Sequence, residues 1–517
     1  MSDPTTDART WLESLPTEER DDLARRYARA TFAGGAVVHK SDGTVVPIPP
    51  LLSPEALAAD LRARMAADGH ALVTALGRLT AWLMSPAGEA ARTQLFRAFT
   101  TVEHAGLAQW QAAERLATAR VDYFLDESAA PHALEVNATI PAMQGYSDII
   151  AEEFLRAVGN QRGFSPSAIA SLIDANGRNS DDLLAALLEH YGHLVGQGFR
   201  YRVSGDSAAG SGQDVARPLA IAIVHRAGDA QLGELSHYVS RWKEKGHFAH
   251  LCTPDQVRLD GEGDLRVGDV RPDLVYRHIF ARRLEPSSDF ARALLDPERH
   301  RIFNPLSSHL EVKGMLGFLS RAAVEPAWAD TLALDNDERT AIGRSLPWTR
   351  LLVAGEAVGP DGSYTKDLVN LVANGPERFV IKRSWDYGGK SVFLGIAHDE
   401  PTARRAGEAM ALPEGTSLSW PDLVRAAAVD ARDAWVVQQL VRPRPRRHLL
   451  AGESGAAWHD FFVDVSLYTN LGVSARPTGG ATRASSSRIV NILGGGGLAP
   501  LVRDEVLTRL FRRHGLD

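Results

Sequence analysis

Glu135 and Asn137 stand two residues apart in the run LEVNATIP, and on an extended chain residues two apart point to the same face. A carboxylate and an amide oxygen on one face form a hard-oxygen pair suited to Mg²⁺, with nucleotide phosphates completing the shell. Upstream, RVDYFLD brings Arg120 and Asp122 to one face by the same spacing. If the two runs pair as strands through the polar turn ESAAPH, Asp122 reaches the Glu135 patch. Taken alone, a Glu-x-Asn also fits an ordinary exposed polar face of a sheet.

A second group lies in FVIKRSWDYGGKSVFLG, residues 379 to 395. Its Gly389-Lys390-Ser391 looks like the end of a P-loop, but that pattern needs glycine where Ser384 stands. A P-loop also opens a helix at this point, whereas SVFLG is a short β-branched and aromatic run that reads as a strand. The stretch is therefore expected to be strand, glycine turn, strand. Lys382 follows Phe379, Val380 and Ile381, on a strand whose flanking residues should be buried; a cation there costs free energy unless an anion neutralises it. The turn Tyr387-Gly388-Gly389-Lys390 offers backbone amides to phosphate oxygens. The plainer alternative is a hairpin with solvent-facing lysines.

Two further segments carry weaker signals. WVVQQLV, with Gln438, Gln439 and Leu440, reads as a strand whose backbone edge can pair with adenine, or as a simple strand end. Near the C-terminus stand Asp464 and Ser466 in FVDVSLYTN, Arg483 in GGATRASSS, Asn491, and the glycines 494 to 497. Arginine beside a glycine loop suits bidentate recognition of phosphate or carboxylate. His190 and His193 are one helical turn apart without a third metal ligand. Cys252, in HLCTP, reads as a buried structural thiol. The run Arg442, Arg444, Arg446, Arg447 reads as a solvated loop.

These groups must be positioned by a chain of 517 residues, 44% hydrophobic and 23% charged, long enough for two to four packed units. A formal net charge of -7 speaks against a nucleic-acid partner. The single cysteine excludes an intrachain disulfide and fits a reducing compartment. With a polar, acidic start and no run near the ~18 apolar residues that span a bilayer, a soluble cytoplasmic protein is expected. Residues 1–110 read as mostly helical, interrupted by a short hairpin near FAGGAVVHKSDGTVVPIPP. LAIAIVHR, GELSHYVSRWKEKG, HFAHLCTP and DLVYRHI then alternate as strand, helix, strand, strand, the texture of an open α/β sheet.

Together these motifs resemble the circularly permuted ATP-grasp ligases, such as glutathionylspermidine synthetases and eukaryotic-type glutathione synthetases. In the ordinary order the nucleotide lysines precede the metal-binding Glu-x-Asn; here Glu-x-Asn comes first. The resemblance implies an α/β (α+β) ATP-grasp fold. It would divide the chain into a helical region (1–110), a permuted segment with the Glu-x-Asn strand (111–215), an open α/β substrate domain (216–300) and a nucleotide-binding region (301–517). It implies Asp122, Glu135 and Asn137 as ligands of Mg²⁺, two ions being expected. Arg120 and Arg483 would act on the transferring phosphoryl group. Lys313 (in SSHLEVKGMLGFLS), Lys382, Tyr387, Gly388, Gly389 and Lys390 would bind the ATP phosphates, with Gln438, Gln439 and Leu440 at the adenine. The family often has an acidic residue where Gln439 stands. The implied activity is amide formation between a carboxylate and an amine (an amino acid, peptide or polyamine) through an acyl phosphate. Neither a nucleic acid nor a membrane would be a partner, and a homodimer stays open. Two other readings remain: a phosphotransferase on the same fold, and a nucleotide-binding scaffold without turnover.

Overall fold

The computed structural model describes residues 4–110, 118–196, 217–297, 299–386, 389–470, 479–490, 492 and 496–512, apart from the side chains of residues 193, 195 and 196. Of the residues singled out above, Tyr387, Gly388, Asn491, Gly494 and Gly495 and the side chain of His193 lie outside this set.

The strand Ala119–Leu125 pairs antiparallel on one side with its hairpin partner Pro131–Asn137 and on the other with the long strand Gly455–Thr469. Gly480–Ser485 and Gly497–Ala499 extend this sheet beyond the long strand, whose first half also pairs with Arg446–Gly452. The alternation of side chains gives the sheet two characters. Val121, Tyr123, Leu125, Val465 and Leu467 share one core with Leu72, Leu76 and Leu79 of the helix Ala59–Leu83 and Leu316 and Leu319 of the helix Lys313–Ala322. Arg120, Asp122 and Asp464 fall on the opposite face.

A second antiparallel sheet has the order Thr349–Leu351, Trp435–Gln439, Phe379–Arg383, Val392–Leu394. Phe379, Ile381, Trp435 and Val437 pack outward against the helices Leu368–Ala373 and Trp420–Ala428. That leaves Val380, Lys382 and Gln438 facing the first sheet. The strand–turn–strand expected around the glycines is therefore present. WVVQQLV forms the strand expected, and it lies inside the sheet: Gln439 N donates to Trp348 O and Leu440 N to Arg378 O, each at 2.8 Å.

The third sheet is parallel, in the order Ile302–Phe303, Leu274–His278, Ala220–His225, Phe248–Cys252. The helix Leu232–Glu244 forms the crossover between the last two. Ala220–His225 is apolar almost throughout because cores lie on both its faces. The N-terminal region holds the helices Pro4–Ser14, Thr17–Ala33, Ala59–Leu83, Glu89–Leu95 and Thr101–Ala108 and the hairpin Val37–His39 with Val45–Pro47. Among the described residues no helix is long and apolar enough to cross a membrane.

Several isolated candidates take structural places. The basic run is not simply a solvated loop: Arg446 pairs with Glu55, Arg447 with Glu13 at 3.3 Å, and Arg442 donates to Glu377 O at 2.9 Å. His190 is buried against the ring of Phe303. Burial pushes the Cys252 thiol up to about 12, which leaves no thiolate for nucleophilic chemistry near neutral pH.

Candidate functional site

The hairpin that carries Glu135 and Asn137 is registered so that Arg120 opposes Asn137 and Asp122 opposes Glu135. Immediately after Asp122 the register shifts, with Tyr123 opposite Ala133. Leu134 is the extra residue of this β-bulge, and a bulge leaves backbone groups outside the ladder. Its carbonyl takes Lys382 Nζ at 3.3 Å from the facing sheet. The irregularity in one sheet thus receives the cation of the other.

On the first wall the charges are interlocked. Arg120 grips Asp122 with two bonds, Nε to Oδ1 at 2.6 Å and Nη2 to Oδ2 at 3.0 Å, and its Nη1 donates to Ala142 O at 2.7 Å. Asp122 Oδ2 also accepts from Asn137 Nδ2 at 3.2 Å and Arg483 Nη2 at 2.9 Å. Arg483 in turn holds Asp464, Nε to Oδ1 at 3.1 Å and Nη2 to Oδ2 at 2.5 Å. Burial works to raise the Asp122 carboxyl, but the guanidiniums of Arg120 and Arg483 outweigh it and hold the group well below the usual range. For Asp464 burial prevails over Arg483, and the carboxyl is pushed up to about 6.

The facing wall is built differently. Lys382 is buried, and besides Leu134 O its ammonium bonds Gln438 Oε1 at 2.7 Å, while Gln438 Nε2 donates to Thr349 Oγ1 at 3.1 Å. Burial is the main cause that pushes the Lys382 ammonium down to about 8, assisted by Lys313 and opposed by Glu135. Lys313 is the first residue of its helix; its Nζ lies 3.5 Å from Glu135 Oε2 and donates to Asp386 O at 2.6 Å. Ser384, the residue that breaks the P-loop pattern, anchors this helix: its carbonyl accepts Lys313 N and its Oγ accepts Gly314 N, both at 2.9 Å. Those bonds satisfy two amides that a helix N-terminus leaves without partners. Gly389 sits at φ +72, and a Cβ there would lie 2.9 Å from Ile489 Cγ2. Both facts favour glycine in the turn. Lys390, beside it, is exposed.

The cleft between the walls has two lobes. One is lined by the apolar Phe124, Leu134, Val380, Leu394, Leu440 and Val441 and by the cationic Lys313, Lys382, Lys390 and Arg483; Gln438 and Gln439 also border it. The other is walled by Ile140, Met143, Tyr146 and Phe280, with Arg120, Asn137, Arg226, Asp229 and His278 as polar groups. Glu135, Lys313, Asp386, Gly389, Arg483 and Val490 line both, so the lobes meet there.

Some contributors had not been singled out in the sequence. Asp386 lies inside SWDYGGK and accepts from Ser391 Oγ at 2.6 Å, so its place in the motif was a usable signal. Val38 and Ile48 enter the second lobe from the N-terminal hairpin and its flank. Nothing in their local pattern indicated this.

The residues fit a nucleotide and its metal to different degrees. A lobe that combines apolar side chains with three lysines and an arginine suits a purine and its phosphates. Glu135 brings a carboxylate to the junction, and Asn137 an amide to the second lobe beside it. Asp122, the third expected metal ligand, has four donors, three of them on Oδ2. At that oxygen, the one bonded to Asn137, it can accept a cation only if a donor withdraws. Among the described residues, no group of three or more His, Cys, Asp or Glu side chains is arranged to hold a metal ion, so any such site depends on Asn137 or on the bound phosphates.

No family model and no curated protein matches this sequence. Among solved structures, a glutathione synthetase-like effector from Globodera pallida, in its apo form, matches with a TM-score of 0.56 at 11% identity, over 95% of this chain and 98% of that one. At that identity the likeness concerns the fold alone, a mixed α/β arrangement like that of the glutathione synthetase-like effector.

Proposed function

We propose that the chain is an ATP-dependent carboxylate–amine ligase of the permuted ATP-grasp class, acting through an acyl phosphate. The observation that carries this reading is the shared junction. Two lobes of different chemistry meet at Glu135, Lys313 and Arg483, and a phosphoryl group passed from a nucleotide to a carboxylate must cross at one such point.

In this reading Lys313, Lys382 and the turn with Gly389 and Lys390 hold the triphosphate, and Gln438, Gln439 and Leu440 border the base. Since Gln439 N and Leu440 N serve the sheet, contacts to the base would come from carbonyls, side chains or backbone beyond them. Glu135 and Asn137 would hold Mg²⁺, which would neutralise phosphate charge, and Asp122 would be a further ligand if a donor on Oδ2 withdrew. Arg120 and Arg483 face the oxygens on which charge gathers during transfer. The substrate carboxylate oxygen attacks the terminal phosphorus and ADP leaves. The amine nitrogen then attacks the acyl carbon, inorganic phosphate departs with the C–O electron pair, and the nitrogen gives its proton to solvent. A carboxylate is a poor electrophile, and phosphorylation supplies its leaving group. The Gly389 turn, which lines the lobe beside Ile489, is suited to keep water from the acyl phosphate.

Hydroxylamine supplied with ATP and a panel of amino acids, short peptides and other carboxylates is expected to trap a hydroxamate with the right carboxylate. ADP release without hydroxamate or amide would count against the ligase.

A further inference from the structure

The four donors on Asp122 pose a question that the ligase reading leaves open. A carboxylate offers about two lone-pair positions on each oxygen; here Oδ1 takes Arg120 Nε, while Oδ2 takes Arg120 Nη2, Asn137 Nδ2 and Arg483 Nη2 and is full. A divalent cation that shares Asn137, and so reaches Asp122 at Oδ2, must displace one of these three. Arg120 is held by both prongs of its fork and by Ala142 O, and its side chain is 7% exposed. Asn137 need only turn its amide to offer oxygen in place of nitrogen. Arg483 makes a single bond to Asp122, is 16% exposed, and already grips a second carboxylate.

That second carboxylate is itself fixed. Asp464 lies opposite Arg483 in the ladder, and its Oδ1 accepts the backbone N–H of Arg483 at 3.3 Å. When Arg483 leaves Asp122 it keeps a counter-charge a short swing away. Without Asp464, the guanidinium would stay on Asp122 or be left unpaired beside an incoming dication, and like charges at such range repel strongly where the site is shielded from water.

We propose that Asp464 is a positioning residue that retains Arg483 at the junction of the two lobes while a divalent cation takes its place on Asp122. Arg483 thus serves as the counter-ion of Asp122 in the metal-free site and, in the loaded one, stands free of Asp122 where the two lobes meet. The inference rests on the metal site of the proposed ligase, and it concerns cation binding alone.

Mn²⁺ binding to the full-length protein without nucleotide, followed by electron paramagnetic resonance, tests it without turnover. Arg483→Gln removes the competitor and is expected to tighten Mn²⁺ binding by about tenfold. Asp464→Asn removes the alternative partner and should weaken it by about tenfold, a usual size for a group acting behind a metal ligand. Asp464→Glu should restore most of the affinity. Poor folding would weaken both variants, so opposite signs separate the proposal from structural damage. Glu135→Gln should remove Mn²⁺ binding and so locate the ion. Unchanged or weaker binding by Arg483→Gln, or unchanged binding by Asp464→Asn, would overturn the proposal, as would wild type and Arg483→Gln both failing to bind Mn²⁺. If the Mn²⁺ pattern holds and no hydroxamate forms, the ligase reading fails and this one stands; hydroxamate formation without the pattern gives the reverse.

Discussion

Arg120 and Arg483, on one wall of the cleft, each have a carboxylate within hydrogen-bond distance, and Arg483 has two. On the facing wall Lys382 hydrogen-bonds two uncharged oxygens, Gln438 Oε1 and Leu134 O. On the first wall Asp122 and Asp464 neutralise the two guanidiniums, and these charges hold the strands 119–125, 455–469 and 480–485 in one arrangement, while Glu135 reaches across to Lys313 at 3.5 Å. The second keeps in Lys382 a buried cation with no ion pair among the described residues. Pairing on one side and deficit on the other give an anion a reason to enter from the lysine side and to stop at the arginines.

The sharpest way to break this contrast is to remove the carboxylate at the centre of the paired wall. Asp122→Ala leaves two guanidiniums without that partner, and urea denaturation should show a loss of about 3–5 kcal/mol, as for other broken buried pairs. A loss under 1 kcal/mol would mean that the pairing is not structural. The matching change on the other wall should spare the fold. Lys382→Met removes a cation without an ionic partner, so thermal stability should be kept or raised while ATP affinity, by calorimetry, falls about a hundredfold. A marked fall in melting temperature would show that Lys382 belongs to the scaffold.

The pH dependence follows from the same lysine. Its folded-state value is depressed to about 8 from 10.5, so between those values the unfolded chain holds a proton the folded chain has released. The contribution of Lys382 to stability therefore improves as pH rises through that window, whereas ATP affinity should fall by up to about tenfold per pH unit above 8. Lys382→Arg, always charged, should flatten the affinity profile; an unchanged profile would place the titration elsewhere. The smallest effect is expected at Ser384→Ala, which removes the Oγ bond to Gly314 N and should cost about 1 kcal/mol, typical of a lost helix cap. ATP affinity should fall with it, since Lys313 begins that helix; unaltered affinity would show that Lys313 is positioned independently of the cap.

Much of this arrangement was legible in the chain. Period-two spacing put Arg120 with Asp122 and Glu135 with Asn137, and the β-branched run after Lys390 ruled out a P-loop. Strand alternation is a local property, and it survives whatever the strand packs against. WVVQQLV is the strand its pattern indicates, but its place inside the sheet was not legible, because the edge or interior place of a strand depends on its neighbours. Thr349–Leu351, which covers one side of it, lies far away in sequence. The same limit applies to the basic run, whose carboxylate partners, Glu13 and Glu55, belong to the N-terminal region.

By itself the amino-acid sequence determined which residues could face a cleft and what each could bind, since residue chemistry and strand period are written locally. The tertiary structure decided which charges cancel. It set Arg483 between Asp122 and Asp464, placed the Leu134 bulge opposite Lys382, and made Ser384 a cap for the Lys313 helix. Those pairings depend on hydrogen-bond geometry between segments distant in the chain, and local spacing holds no record of that geometry.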